Sequence, residues 1–176
     1  MLEKLKYPIG KWEAPNNYSE ELIHAWISDI ESTPKSIEAL VLALDESQLN
    51  WKYRPSGWSI RQVVHHMADS HMNAYIRHKL TMTEDCPTIL PYNEKLWAEM
   101  PDVQYVSIKE GCLLLRLLHQ RWSFYLSSLP YDSLSKSYLH PEKKRKINMY
   151  ESIGMYSWHS RHHLAHIENA VKFAVT

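Results

Sequence analysis

Residues 158–166 read Trp158-His159-Ser160-Arg161-His162-His163-Leu164-Ala165-His166. They lie in one long helical pattern, which Asn148 with Glu151 three residues on can cap and which runs nearly to the C-terminus. An α-helix advances about 100° per residue, so His159 and His163 fall about 40° apart, one turn above the other. Two imidazoles at that spacing form a two-point clamp for Zn²⁺, Ni²⁺ or a similar ion. A clamp needs a third ligand from elsewhere. The other dense histidine cluster is Val64-His65-His66-Met67-Ala68-Asp69-Ser70-His71, which also reads as helix.

Outward from these two stretches, helical signals dominate. Residues 1–17, with Pro8, Gly10, Pro15 and Asn16-Asn17, predict an extended lead-in. Ser19 caps a helix carrying Leu22, Trp26, Ile27 and Ile30 at helical spacing. Thr33-Pro34 looks like an N-cap and first helical position, predicting a second, shorter helix through Leu44. After a loop over 45–58, Ser59 and Gln62 form a capping box that opens a helix to about Met82. Residues 83–101 carry Pro87, Pro91 and Pro101 and predict loop, with a helical turn near Glu94–Glu99. Ser107 and Glu110 form another capping box for a helix to about Ser128, with Leu113, Leu114, Leu117, Leu118 and Tyr125 as its apolar face. Residues 130–147 predict a small hairpin or an irregular excursion. Helices without convincing strands imply an all-α, antiparallel four-helix bundle with long irregular connections.

A chain of 176 residues fits a single domain over 1–176, and 44% hydrophobic residues suffice for a core. Twenty basic residues balance twenty acidic ones, which argues against a nucleic-acid partner bound through its phosphates. The basic run Lys143–Lys146 predicts a solvated turn. No apolar stretch approaches the ~20 residues of a membrane span, and the N-terminus lacks the apolar core of a signal peptide. The expected location is the cytoplasm, with Cys86 and Cys112 reduced. Eleven Tyr and seven Trp against two Phe suit a semi-polar cavity as well as a core.

His66 is the strongest third ligand, because its stripe with Ser59, Gln62, Val63, Asn73 and Arg77 mixes polar and apolar residues. His65 lies about 100° away, towards a helix contact or the surface. On the last helix, His166 lies about 20° from His159 and His162 about 60° from it. Spacing therefore establishes a clamp without choosing its members. His24, His71, His78, His119 and His140 read as packing or surface residues.

Gly57-Trp58-Ser59-Ile60-Arg61-Gln62-Val63-Val64-His65-His66-Met67-Ala68-Asp69 resembles a helix motif of the DinB-like metalloproteins, and Trp158–His166 resembles their His-x-x-His-His motif. Tyr7-Pro8-Ile9-Gly10 is similar to the N-terminal motif of the YfiT-type metal-dependent hydrolases within that superfamily. The resemblance implies a four-helix bundle holding one divalent ion, Zn or Ni, on His66, His159 and His163, and it places His162 and His166 at non-ligand positions. Wider relatives read His-His-Arg-Gly-Gln where this chain has His162-His163-Leu164-Ala165-His166, so the resemblance leaves three roles for His166: a hydrogen-bond partner of a ligand, a substrate contact or packing. The resemblance also suggests a homodimer.

Three nitrogen ligands leave a coordination position for water or substrate, the pattern of a catalytic metal. Such an ion can lower the pKa of bound water towards ~7. It can equally hold a thiol as thiolate. Hydrolysis of an ester-like or amide-like small molecule is the first expectation. Thiol S-transfer is the second, since relatives include enzymes using bacillithiol. A non-catalytic metal-binding bundle is the third. Asp69, one turn past His66, can accept a hydrogen bond from a ligand imidazole or pair with Arg61, Arg77 or a surface cation. Trp58, Tyr150, Tyr156 and Trp158 are candidate pocket walls. No residue stands out as a general base.

Overall fold

The computed structural model describes residues 2–173. Its elements are α1 (Leu2–Lys6), α2 (Glu20–Val41), α3 (Ile60–Thr83), α4 (Glu94–Trp97), α5 (Pro101–Tyr105), α6 (Ile108–Ser127), β1 (Ser137–His140), β2 (Arg145–Asn148) and α7 (Met149–Phe173). The long helices α2, α3, α6 and α7 form a four-helix bundle in which α2 and α3 each pack against both α6 and α7.

Two core clusters fix the helix directions. Ile37 and Val41 near the end of α2 pack with Val63, Val64 and Met67 near the start of α3, with Ile108 and Cys112 of α6, and with Ile167 of α7. At the other end, Ile23 to Ile30 of α2 meet Ala74 of α3, Trp122 and Leu126 of α6, and Met149 to Tyr156 of α7. Antiparallel packing therefore relates α2 to α6 and α3 to α7. The pairs α2/α7 and α3/α6 run parallel, because the connection 84–107 returns the chain to the end where α3 began.

The caps predicted at Ser19, Ser59, Ser107 and Asn148 form. Ser19 accepts from the Leu22 N–H, and both capping boxes close reciprocally, Ser59 with Gln62 and Ser107 with Glu110. The Asn148 side chain accepts from the Glu151 N–H at 2.8 Å. Residues 137–148 form a two-stranded antiparallel hairpin, with Lys143–Lys146 exposed on its turn and second strand.

Three local expectations are corrected. The lead-in contains a short helix, α1, which ends where Pro8 follows Tyr7. Thr33-Pro34 does not start a new helix, because α2 runs through it. Proline removes only the N–H that residue 34 would offer to the Ile30 carbonyl, and Thr33 Oγ1 bonds back to the Asp29 carbonyl at 2.6 Å. On α6 the buried face is Ile108, Cys112, Leu115, His119, Trp122 and Leu126, whereas Leu113, Leu114 and Leu117 stand exposed. Steps of three and four from Ile108 trace that face, and the leucines flank it.

Close packing of α7 on α2 requires Gly154. A Cβ there would lie 2.6 Å from two Trp26 ring atoms and 2.7 Å from Trp12. Helix propensity favours Ala over Gly by about 1 kcal/mol, but overpacking a core costs about 1–3 kcal/mol, and the Trp26 ring in the way is buried. Gly154→Ala is therefore expected to lower stability in urea unfolding. An unchanged or raised midpoint would contradict this packing.

Candidate metal centre

His66 enters from the second turn of α3, held by the Ser59 capping box and by Gln62, whose amide donates to the Ala98 carbonyl at 3.0 Å. His159 and His163 project from α7, which packs antiparallel to α3. One ring nitrogen from each of these three histidines lies within 4.8 Å of the others. Their ring centroids are 4.4 to 5.4 Å apart. Helical spacing supplies the α7 pair, and only the bundle brings His66 to it.

Burial sets the charge of these rings. It pushes His66 down to about 4, and it holds His159 and His163 well below the ordinary histidine range, with neighbouring imidazoles adding to the shift. Neutral imidazole is the form that binds a metal. The donor set thus fits a borderline ion such as Zn²⁺ or Ni²⁺.

Above the cluster opens a cleft of about 820 Å³. Trp58 and Trp158 form walls, with the Trp58 ring 4.5 Å from that of His66. Tyr7, Tyr53, His162 and His166 line the α7 side, and Lys6, Lys52 and Arg54 edge it. Of the other aromatic candidates, Tyr156 is buried below His159, and Tyr150 packs on Tyr18 and Tyr131 away from the cleft.

Asp69 takes a different place from the one expected. Its carboxylate hydrogen-bonds to no imidazole and pairs with neither Arg61 nor Arg77 among the described residues. Arg61 pairs with Glu46, and Arg77 donates to the Leu90 carbonyl. Burial, with Asp102 nearby, raises the Asp69 carboxyl to about 6. Asp69 follows His66 by three residues and lies near Asp102 of α5.

His71 makes the contact considered for Asp69. Its Nε2 lies 2.8 Å from His159 Nδ1, and its Nδ1 lies 2.6 Å from His119 Nε2. His119 Nδ1 donates to the Ile30 carbonyl at 2.5 Å. Both rings are fully buried. Burial lowers His119 to about 4 and His71 well below the usual range. The packing role assigned to them omitted this contact. A signal existed: Val64, His71 and His78 recur at seven-residue steps, so both histidines occupy a core stripe of α3. His78 is satisfied separately, by Ser152 and the Trp122 N–H. His166 lies with Nδ1 3.3 Å from His163 Nδ1 and Nε2 3.1 Å from the Lys6 carbonyl, and its ring stacks on Tyr53 at 3.7 Å. His65 packs against Gly111, with its Nε2 unpartnered among the described residues.

Residues 29–167 match the DinB superfamily. The chain belongs to that superfamily. Among its DinB relatives, a protein of Bacillus cereus (strain 03BB102) described as "Putative metal-dependent hydrolase" is 44% identical over 97% of this chain and 98% of its own length. A similarly described protein of Bacillus thuringiensis subsp. konkukian (strain 97-27) matches equally well. YfiT from Bacillus subtilis, described as a probable metal-dependent hydrolase with an unusual four-helix bundle topology, superposes with a TM-score of 0.93 at 41% identity, covering 96% of this chain and 97% of that one. Among the described residues, no helix is long and apolar enough to cross a membrane.

Proposed function

We propose that this DinB protein is a metal-dependent hydrolase in which His66, His159 and His163 hold one divalent ion, zinc or nickel. The observation that carries the reading is the convergence of three neutral imidazoles, within 4.8 Å of one another, at the base of an open cleft. Relatives described as metal-dependent hydrolases support the reaction class. A bound ion supplies Lewis-acid polarisation of a substrate oxygen and acidification of water.

The chain's own residues supply the rest. Three ligands fall short of the closed four-ligand set of a structural zinc site, which leaves a place for a reactant on the cleft side. Trp58 and Trp158 give the cleft flat apolar walls, which exclude water from part of a bound small molecule. Lys6, Lys52, Arg54 and Lys95 bring positive charge to its lining, and Glu94 and Glu99 bring negative charge. No carboxylate joins the three histidines as a donor among the described residues, while Glu94, Glu99, His162 and His166 also line the cleft.

The test is turnover of ester and amide panels by the full chain before and after chelation. Activity should drop to background on chelation and return with Zn²⁺ or Ni²⁺. Because the same ion would acidify a thiol, a parallel arm follows bacillithiol conjugation to monochlorobimane. Metal-dependent conjugation without hydrolysis of either panel would replace hydrolase with thiol transferase. Inactivity in both arms, with the ion retained, would reduce the site to a structural role.

A further inference from the structure

Two backbone carbonyls that their helices leave free sit at the far ends of hydrogen-bond chains leading to the α7 histidines. In an α-helix the Ile30 carbonyl would accept from the N–H of residue 34, but residue 34 is proline and has none. His119 Nδ1 occupies that acceptor at 2.5 Å. The Lys6 carbonyl closes α1 and, as a helix-terminal acceptor, lacks an intrahelical partner. His166 Nε2 meets it at 3.1 Å.

A carbonyl can only accept, and a neutral imidazole has one donor and one acceptor nitrogen. These two facts propagate. His119 must carry its proton on Nδ1, so its Nε2 accepts. His71 must then donate from Nδ1 across 2.6 Å, which leaves its Nε2 as an acceptor. His159 must in turn donate from Nδ1 across 2.8 Å, and its Nε2 keeps a lone pair. In the second chain His166 donates from Nε2, accepts at Nδ1 from His163 Nδ1 across 3.3 Å, and leaves the His163 Nε2 lone pair free. His66 stands outside both chains, its ring against Trp58.

We propose that these two carbonyl-anchored chains fix His159 and His163 as Nδ1–H tautomers before any ion arrives, which makes His71, His119 and His166 positioning residues for the pair. The tautomer assignment rests on hydrogen-bond geometry together with the burial that disfavours a charged ring. Its consequence for metal affinity rests on the ligand set proposed above. Metal-ligating histidines ordinarily donate their second N–H to a carboxylate, carbonyl or water. Here intervening imidazoles carry that role to Ile30, on a helix that contributes no ligand. Pro34, silent as a helix start, matters because it frees the anchor.

The test is a long-range ¹H–¹⁵N imidazole spectrum of the full chain after chelation, with zinc titration alongside. His71, His119, His159 and His163 should appear as Nδ1–H tautomers and His166 as Nε2–H. In His119→Leu the anchor is lost and both directions of its chain become comparable. His159 should then become a tautomer mixture, and zinc affinity should fall about 10–100-fold. His119→Gln, whose amide can both donate to Ile30 and accept from His71, should recover most of that affinity. A wild-type His159 protonated on Nε2 overturns the proposal, and this readout needs no variant to fold. A folded His119→Leu with unchanged His159 tautomer or unchanged zinc affinity overturns it as well. Wild-type protein with the stated tautomers that binds no zinc supports the chains and defeats the metal reading, so the two failures are distinguishable.

Discussion

Replacing His163 by alanine is expected to empty the metal site, whereas the same change at its neighbour His162 is expected to leave the ion in place. The two residues are adjacent, both are buried, and both line the cleft. They differ in direction. His163 brings a ring nitrogen within 4.8 Å of donor atoms on His66 and His159, whereas His162 stacks on Trp158 with ring centroids 4.4 Å apart. Without His163, two imidazoles remain, one from α3 and one from α7. Loss of a ligand should exceed the about 10–100-fold effect typical of a supporting group. The measurement is elemental analysis after desalting: near one ion per chain for wild type and His162→Ala, near zero for His163→Ala. Full metal content in His163→Ala would eliminate the proposed ligand set. Loss in both variants would point to general collapse of that turn of α7, which thermal melting checks directly.

Legibility in the sequence followed the range of each interaction. Caps and the His159/His163 clamp involve residues three or four apart, so their partners are visible on the page. Ser59-Gln62, Ser107-Glu110 and Asn148-Glu151 all form as read. The helices opening at Ser59, Ser107 and Asn148 were likewise legible in their order, because prolines and polar clusters separate the periodic stretches, whereas α1 and the continuity of α2 through Pro34 were not. What escaped depends on which faces meet. Leu113, Leu114 and Leu117 suggest a buried stripe by composition, yet packing against α2 and α3 selects the stripe carrying His119 and Trp122. Thr33-Pro34 carries the local signature of a helix start. Tertiary contacts override it, and the freed carbonyl finds its donor 89 residues away in His119. In sequence, Asp69 is the acid one turn past His66, whereas His71 reads as a packing or surface residue. Choosing between them requires knowing which side of α3 faces α7.

Stability of the chelated protein should fall steeply as the pH drops below about 6.5, by roughly 10 °C or more in melting temperature between pH 7.5 and 5.5. The cause is the number of buried histidines held neutral. His66 and His119 are lowered to about 4 and His78 to about 3, while His71, His159 and His163 lie well below the ordinary value. In each case desolvation is the leading cause. Once unfolded, these side chains bind protons near 6.5. Above that pH both states are neutral and nothing is lost. Below it the unfolded chain takes up protons that the folded chain refuses, so folding stability declines until the folded values are reached. Each fully shifted group contributes about 1.4 kcal/mol per pH unit. Several acting together can consume a typical ~5–15 kcal/mol of domain stability within two units. Asp69, raised to about 6, opposes the trend, but it is one half-buried carboxyl against five buried imidazoles and the half-buried His159. Saturating zinc should shift the decline to lower pH, because ligation favours the same neutral rings. Melting temperatures constant from pH 7.5 to 5.5 in chelator would mean that the buried histidines can ionise within the fold, and the neutral donor set would lose its physical basis.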